Sequence, residues 1–120
     1  MMMKTGADLI AEAKTRIRLI DLAEFEKRRT ASARPTILDV REPTETNLGR
    51  IPGAMVIPRG QLETKVEAMI PRDAAVVIYC ASDNRSSLAA DTMRQMGYGD
   101  VVALKGGWGA WVGSGGPVEG

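Results

Sequence analysis

The single cysteine of this sequence, Cys80, opens a short polar segment. The segment reads Cys80-Ala81-Ser82-Asp83-Asn84-Arg85-Ser86. A loop of small and polar residues that leads into a helix can turn successive backbone N–H groups towards one point, where they bind an anion. Arg85 adds a cation, and Ser86 is suited to the N-cap of the following helix. This setting favours the thiolate form of Cys80 and would hold an oxyanion, such as sulfonate or phosphate, beside the sulfur.

Composition excludes several other kinds of chemistry. The 120 residues include no histidine, which excludes Ser-His-Asp and Cys-His catalysis and histidine-ligated zinc. One cysteine cannot form an internal disulfide, and this fits a reducing compartment. Sixteen basic and fifteen acidic residues give a net charge of +1, which argues against a nucleic-acid partner bound by bulk charge. We expect the chemistry of Cys80 to need neither a metal nor an organic cofactor.

Hydrophobic runs predict the elements that position Cys80. A continuous apolar run over 74–79 predicts a strand buried on both faces, and Cys80 stands at its carboxyl end, where open α/β sheets bind ligands. Gly106 and Gly107 predict a turn before a short tryptophan-bearing helix. Further strands are predicted over 36–40, 55–57 and 101–104. Helices are predicted over about 8–20, from 21 to the basic residues at 27–29, over 62–70 and over 86–96. This alternation is typical of an α/β domain with a largely parallel sheet.

The length of the chain predicts one domain over residues 1–120. Asp8 and Glu12 come too early for a secretory signal, and no apolar run approaches the length of a membrane span. We therefore expect a single soluble domain of the cytoplasm without a membrane partner. Residues 113–120, which are rich in glycine, predict a loose tail.

Four blocks of the chain together resemble the rhodanese family. Residues 37–42 (I-L-D-V-R-E) and 45–54 (E-T-N-L-G-R-I-P-G-A) are similar to the family patterns L-D-V-R-x and E-Y-x-x-G-H-I-P-G-A. Residues 80–86 resemble its active-site loop, C-x-x-G-x-R-S, and residues 104–111 resemble its closing pattern, L-x-G-G-x-x-x-W. The blocks follow one another in the family's order over about 36–112, and the helix predicted at about 8–20 lies outside them.

The resemblance implies a rhodanese-like α/β fold, with a mostly parallel five-stranded sheet flanked by helices, and a sulfurtransferase activity. Cys80 would attack a sulfane donor such as thiosulfate, form a persulfide, and pass the sulfur to cyanide, a thiol or an acceptor protein. The nucleophile must be a thiolate, and inward N–H groups of the loop would stabilise the anionic persulfide. The resemblance further implies that Arg85 positions the anion and that Asp39 and Arg41 support the loop.

Loop length separates sulfur transfer from phosphate chemistry. Phosphatases of this fold and the related arsenate reductases resemble C-x5-R, whereas four residues separate Cys80 from Arg85 here. The tighter loop favours a single sulfur atom over a tetrahedral phosphate. A non-catalytic rhodanese-like module, which binds a partner or carries sulfur within a larger pathway, remains the alternative to an enzyme.

Three positions depart from the family pattern. Thr46 stands where an aromatic residue is usual and Arg50 where histidine is usual, and both are expected to affect packing near the turn. Asp83 replaces the loop glycine. If Asp83 has a positive φ, its side chain carries a conformational cost that glycine does not. Its carboxylate would either repel thiosulfate or accept a loop N–H.

Overall fold

Five strands form the centre of the structure, a computed structural model that describes residues 3–120. They are β1 (Leu19–Ile20), β2 (Thr36–Asp39), β3 (Met55–Val56), β4 (Val76–Tyr79) and β5 (Val101–Leu104). They lie in the order β1-β5-β4-β2-β3, and every pairing is parallel. The predicted α/β fold with a five-stranded sheet is confirmed.

Six α-helices within residues 3–120 surround this sheet. They are α1 (Gly6–Arg16), α2 (Leu22–Arg29), α3 (Pro43–Thr46), α4 (Leu62–Met69), α5 (Asn84–Gln95) and α6 (Gly107–Gly113). Helices α4 and α5 pack on one face, and α2 and α6 pack on the other. Helix α1 lies against α5, to which it is joined by an Arg16–Asp91 ion pair. In this described part of the chain, no helix has both the length and the apolar character needed to cross a membrane.

Strand β4 is buried on both faces of the sheet. Val76 and Ile78 join the apolar cluster formed with α4 and α5, whereas Val77 and Tyr79 join the cluster formed with α2 and α6. Alternate residues of a strand point to opposite faces, so a strand covered on both sides is apolar throughout. Cys80 follows directly and belongs to the first of these clusters. The predicted buried strand that ends at Cys80 is confirmed.

The first helix is shorter than the sequence predicts. Its start is a capping box, in which Thr5 Oγ1 accepts the Asp8 N–H and Asp8 Oδ2 accepts the Thr5 N–H. The helix ends at Arg16, because Ile17 is extended, with φ −116° and ψ 170°. Residues 19–20 then form the edge strand β1 beside β5. The prediction of a helix continuing to residue 20 was therefore wrong, since pairing with a distant strand overrides the local helical spacing of the apolar residues.

The tail is bound to the domain. The sequence-based prediction of a loose tail was therefore wrong. Trp111 Nε1 donates to the Pro117 carbonyl at 2.7 Å, which satisfies the indole N–H of a buried tryptophan. Arg50 and Glu119 exchange two backbone hydrogen bonds of 2.9 Å each. Arg50 and Thr46 both depart from the family pattern. Arg50 pairs with the tail, whereas Thr46 is buried in α3.

The burial of core residues predicts how substitutions change the free energy of unfolding. Leu38 is fully buried in β2, whereas Leu48 is 86% exposed. Leu38→Ala should lower the free energy of unfolding by about 2–5 kcal/mol, because it removes buried methyl groups and leaves a cavity. Leu48→Ala is the matched control and should change it by less than ~0.5 kcal/mol. Urea unfolding measures both values, and equal losses would contradict this assignment of the core.

Candidate active site

Cys80 lies at the carboxyl edge of the sheet, directly after β4, and only 1% of its surface is exposed. The Ser86 N–H donates to Cys80 Sγ at 3.3 Å, and the thiol S–H donates to Ser86 Oγ at 3.4 Å. When the thiol ionises, the Ser86 hydroxyl can donate to the sulfur instead. Two donors from one serine therefore meet the sulfur at the start of α5, where the helix dipole also favours negative charge.

Ser86 takes this position because it lies within the first turn of α5. The sequence predicted Ser86 as the N-cap, and this was wrong, since α5 begins at Asn84 and Asp83 occupies the cap position. The Ser86 side chain is fully buried against Cys80. Ala81, Ser82 and Asn84 are exposed. Among residues 3–120, the N–H groups of 81–85 find no acceptor, so they are available to an anion above the sulfur.

The carbonyl side of the loop is fixed by the first turn of α6. The Trp108 N–H donates to the Cys80 carbonyl at 2.8 Å, and the Gly109 N–H donates to the Ala81 carbonyl at 3.1 Å. At Gly107, a Cβ atom would lie 2.1 Å from the Ser82 carbonyl oxygen and 2.2 Å from that of Cys80. Because these carbonyls face α6, the N–H groups of the same peptide units face the opposite side, where the anion would bind.

The predicted glycine turn that makes this contact is confirmed. Gly106 has a φ of 77° and Gly107 a φ of 51°, both in the left-handed region that favours glycine. At Gly107 the close approach of the Cys80 loop excludes any side chain as well.

Arg85 is held beside the site by a carboxylate that the sequence analysis did not single out. Its guanidinium donates to both carboxylate oxygens of Glu45, at 2.7 and 3.0 Å. This hydrogen bonding lowers the pKa of Glu45 to about 2 and raises the pKa of Arg85, to which the nearby Cys80 sulfur adds a smaller effect. The Arg85 side chain remains about one-third exposed, so the paired arginine still faces solvent at the site. The only signal for Glu45 in the sequence is its place at the start of the second matched block.

Asp39 and Arg41 form a buried ion pair next to the site. Arg41 Nη2 donates to Asp39 Oδ2 and to the Gly49 carbonyl, each at 2.8 Å. The Arg41 guanidinium also lies over the rings of Trp108, 4.5 Å from its centroid, and Tyr79, at 5.6 Å. Burial opposes the charge of Arg41, but Asp39 outweighs it and the pKa of Arg41 is raised. The pair thus connects the end of β2 to the residues that contact the Cys80 loop.

Asp83 does not have the positive φ that the family's loop glycine suggests. Its φ is −146° and its ψ is 10°, so the cost that a left-handed backbone would carry is absent. Its carboxylate accepts the Gly106 N–H at 3.1 Å and the Lys14 ammonium at 2.7 Å. Burial opposes the charge of the carboxylate, but these two donors outweigh it and lower the pKa of Asp83. No sequence pattern indicated Lys14, since it lies 69 positions before Asp83 in the chain.

Within residues 3–120, no cluster of histidine, cysteine and acidic side chains could hold a metal ion. The chemistry that this arrangement supports is that of the Cys80 sulfur, with donors around it and one arginine beside it.

Comparison with known proteins agrees with this geometry. Residues 21–114 match the family model described as a rhodanese-like domain. A sulfurtransferase of Allochromatium vinosum is 36% identical over 99 residues, which cover 82% of this chain and 92% of that protein. A Bacillus subtilis protein named "Putative sulfur carrier protein" is 32% identical over 111 residues, which cover 92% of this chain and 60% of that protein.

A solved structure from Rhodopseudomonas palustris is similar over nearly the whole chain. It is described as a protein of unknown function and possible tyrosine phosphatase, and it superposes with a TM-score of 0.87 at 32% sequence identity. The match covers 99% of this chain and 97% of that one. Since the family model spans most of the chain, including the Cys80 loop and the first turn of α6, the protein belongs to the rhodanese-like domain family.

Proposed function

We propose that this protein is a thiosulfate sulfurtransferase that acts through a Cys80 persulfide. The observation that carries the proposal is the Ser86 N–H donating to Cys80 Sγ, 3.3 Å away, beneath the free N–H groups of the loop. This arrangement stabilises a thiolate before the reaction and an anionic persulfide after it. Homology to a sulfurtransferase supports sulfur transfer in general, and thiosulfate is the donor that we propose.

The first step is a displacement at sulfur. The thiolate of Cys80 attacks the outer sulfur of thiosulfate, a new S–S bond forms, and the donor S–S bond breaks with its electron pair leaving on sulfite. The product is a Cys80 persulfide anion, whose outer sulfur lies among the N–H groups of residues 81–86. In the second step, cyanide, a thiol or an acceptor protein attacks that outer sulfur, and the Cys80 thiolate is restored. No net oxidation or reduction of the protein takes place, and a single cysteine suffices.

We assign the other site residues to holding the donor and the loop. Arg85, oriented by Glu45, would pair with the sulfonate oxygens of thiosulfate, for which a planar cation is well suited. Ala81, Ser82, Asp83, Asn84 and Ser86 would contribute backbone N–H groups. Asp39 and Arg41 would support the loop through Trp108. A cycle that uses one free thiol fits a reducing compartment, and we place the protein in the cytoplasm.

A sulfur carrier without turnover is the second candidate, because one relative is named as such a protein. A carrier would accept one sulfur atom on Cys80 but would not release thiocyanate repeatedly in excess thiosulfate and cyanide. Phosphatase chemistry is less suited, since a phosphate needs a longer loop than the four residues between Cys80 and Arg85. Release of phosphate from an aryl phosphate would show that chemistry directly.

Cys80→Ser tests the nucleophile. Thiocyanate formation should fall to the rate without enzyme, because a hydroxyl is a far weaker nucleophile than a thiolate. Intact mass after brief treatment with thiosulfate should show one added sulfur atom on the parent, reversed by cyanide, and none on the variant. Urea unfolding serves as the control for folding. Thiocyanate formation by the variant near the parent rate would contradict the assignment.

Arg85→Ala tests anion positioning. We expect KM for thiosulfate to rise about ten-fold or more, because a hydrogen bond to a charged group contributes ~1.5–3 kcal/mol. The rate of Cys80 alkylation by neutral iodoacetamide should change much less. Arg94→Ala removes an exposed arginine from the same helix and should leave KM within about two-fold, as screened surface charges act weakly.

The variant also leaves Glu45 without the Arg85 hydrogen bonds that lower its pKa, but an unpaired glutamate carboxylate still carries its charge near neutral pH. Arg85→Ala combined with Glu45→Gln removes this repulsion. If Arg85 binds the donor, KM of the double variant stays well above the parent value. A return to the parent KM would mean that Arg85 only neutralises Glu45.

A further inference from the structure

Lys14 of the N-terminal helix contacts the Cys80 loop directly. Its ammonium donates to Asp83 Oδ1 at 2.7 Å and to Asn84 Oδ1 at 3.1 Å. About one-third of the Lys14 side chain and one-fifth of the Asp83 side chain are exposed, at 32% and 21%. Helix α1 lies outside residues 21–114, which match the family model, so this contact joins the matched domain to a helix that precedes it.

Lys14 is held at this place by a second ion pair on the same helix. Arg16 donates to both carboxylate oxygens of Asp91 in α5, at 2.9 and 2.8 Å. Ala13, which precedes Lys14, is the fully buried residue of α1, and α1 packs against α5. Because α1 is fixed on α5 in this way, the Lys14 ammonium is preorganised at the loop rather than free to sample the surface.

Asp83 joins three segments at the site. One carboxylate oxygen accepts from Lys14, and the other accepts from the Gly106 N–H that precedes α6. The Asp83 carbonyl also accepts from the N–H and the hydroxyl of Ser87. An aspartate therefore stands beside the N–H groups that would bind an anionic donor, and its charge would oppose that binding unless it is neutralised.

We propose that Lys14 is a positioning and specificity residue for the sulfur-transfer reaction, which neutralises Asp83 so that the Cys80 loop accepts a doubly charged donor. This inference rests on the proposed function for its substrate, but the charge relation between Lys14, Asp83 and Cys80 is a separate property of the loop. The Asp83–Gly106 hydrogen bond keeps the loop in place, and Lys14 removes the electrostatic cost of having a carboxylate there.

Lys14→Met tests the proposal through the charge of the donor. KM for the thiosulfate dianion should rise about five-fold, with kcat within about two-fold, because the unmasked Asp83 repels the donor through partly screened space. An alkanethiosulfonate transfers the same outer sulfur but carries one charge. Its KM should rise only about two-fold, since half the charge halves the interaction free energy.

Two further variants separate neutralisation from a merely structural role. Asp83→Asn in the Lys14→Met background removes the repelling charge while retaining an acceptor for the Gly106 N–H, and should return KM for thiosulfate to within about two-fold of the parent. Lys4→Met is the matched control, because Lys4 also pairs with a carboxylate, Glu12, but not at the loop. It should leave KM for both donors unchanged.

Alkylation of Cys80 gives a readout that does not depend on sulfur transfer. In Lys14→Met, the rate with anionic iodoacetate should fall about two- to three-fold relative to neutral iodoacetamide, and Asp83→Asn should restore the ratio. If this ratio shifts while the parent transfers no sulfur from thiosulfate, the proposed function fails but the charge relation stands. An unchanged ratio, or equal losses with both sulfur donors without rescue by Asp83→Asn, would overturn the role of Lys14.

Discussion

The site depends on one close contact, between the Cys80 loop and the first turn of α6. Two N–H groups of that turn bind the carbonyls of Cys80 and Ala81, and Gly107 lies so near that a side chain there would overlap two carbonyl oxygens. A peptide unit has its N–H and carbonyl on opposite sides, so fixing the carbonyls also fixes the N–H groups. The hydrogen bonds from α6 to the loop carbonyls therefore orient the N–H groups on the opposite, anion-binding side of the loop. Helix α6 contributes to the site through its backbone N–H groups.

The buried Asp39–Arg41 pair supports the same contact between the Cys80 loop and α6. Arg41 reaches from the end of β2 to the Gly49 carbonyl and lies over the ring of Trp108, the residue whose N–H binds the Cys80 carbonyl. A buried ion pair contributes little net stability, since the desolvation of both charges offsets their attraction. The pair instead serves to position other groups, because it connects β2, the strand beside β4, to α6 and packs against the Trp108 ring. Loss of either partner would leave a buried charge next to the site.

Sequence patterns predicted the parts of the fold that depend on local chemistry. The buried strand before Cys80 and the glycine turn before α6 each follow from residues within a few positions of one another. The edge strand β1 was predicted as helix, because its two residues are extended only through hydrogen bonds to β5, more than eighty residues away. The tail was predicted to be loose for the same reason, since the backbone of Glu119 pairs with Arg50 in a distant part of the chain. Spacing alone carries no signal for such pairings.

The position of Asp83 shows how a departure from a family pattern can be accommodated. Glycine in the family loop suggests a need for positive φ, yet Asp83 has a negative φ here and precedes α5 without the strain of a left-handed backbone. The constraint at this position in this chain is therefore one of charge rather than of backbone conformation. A carboxylate beside an anion site is tolerable where a cation and an N–H hold it, and Lys14 and Gly106 supply them from opposite ends of the chain. Because α1 carries that cation, Asp83 and Lys14 do not act independently. A change of charge at either residue alters the electrostatic effect of the other on the Cys80 loop.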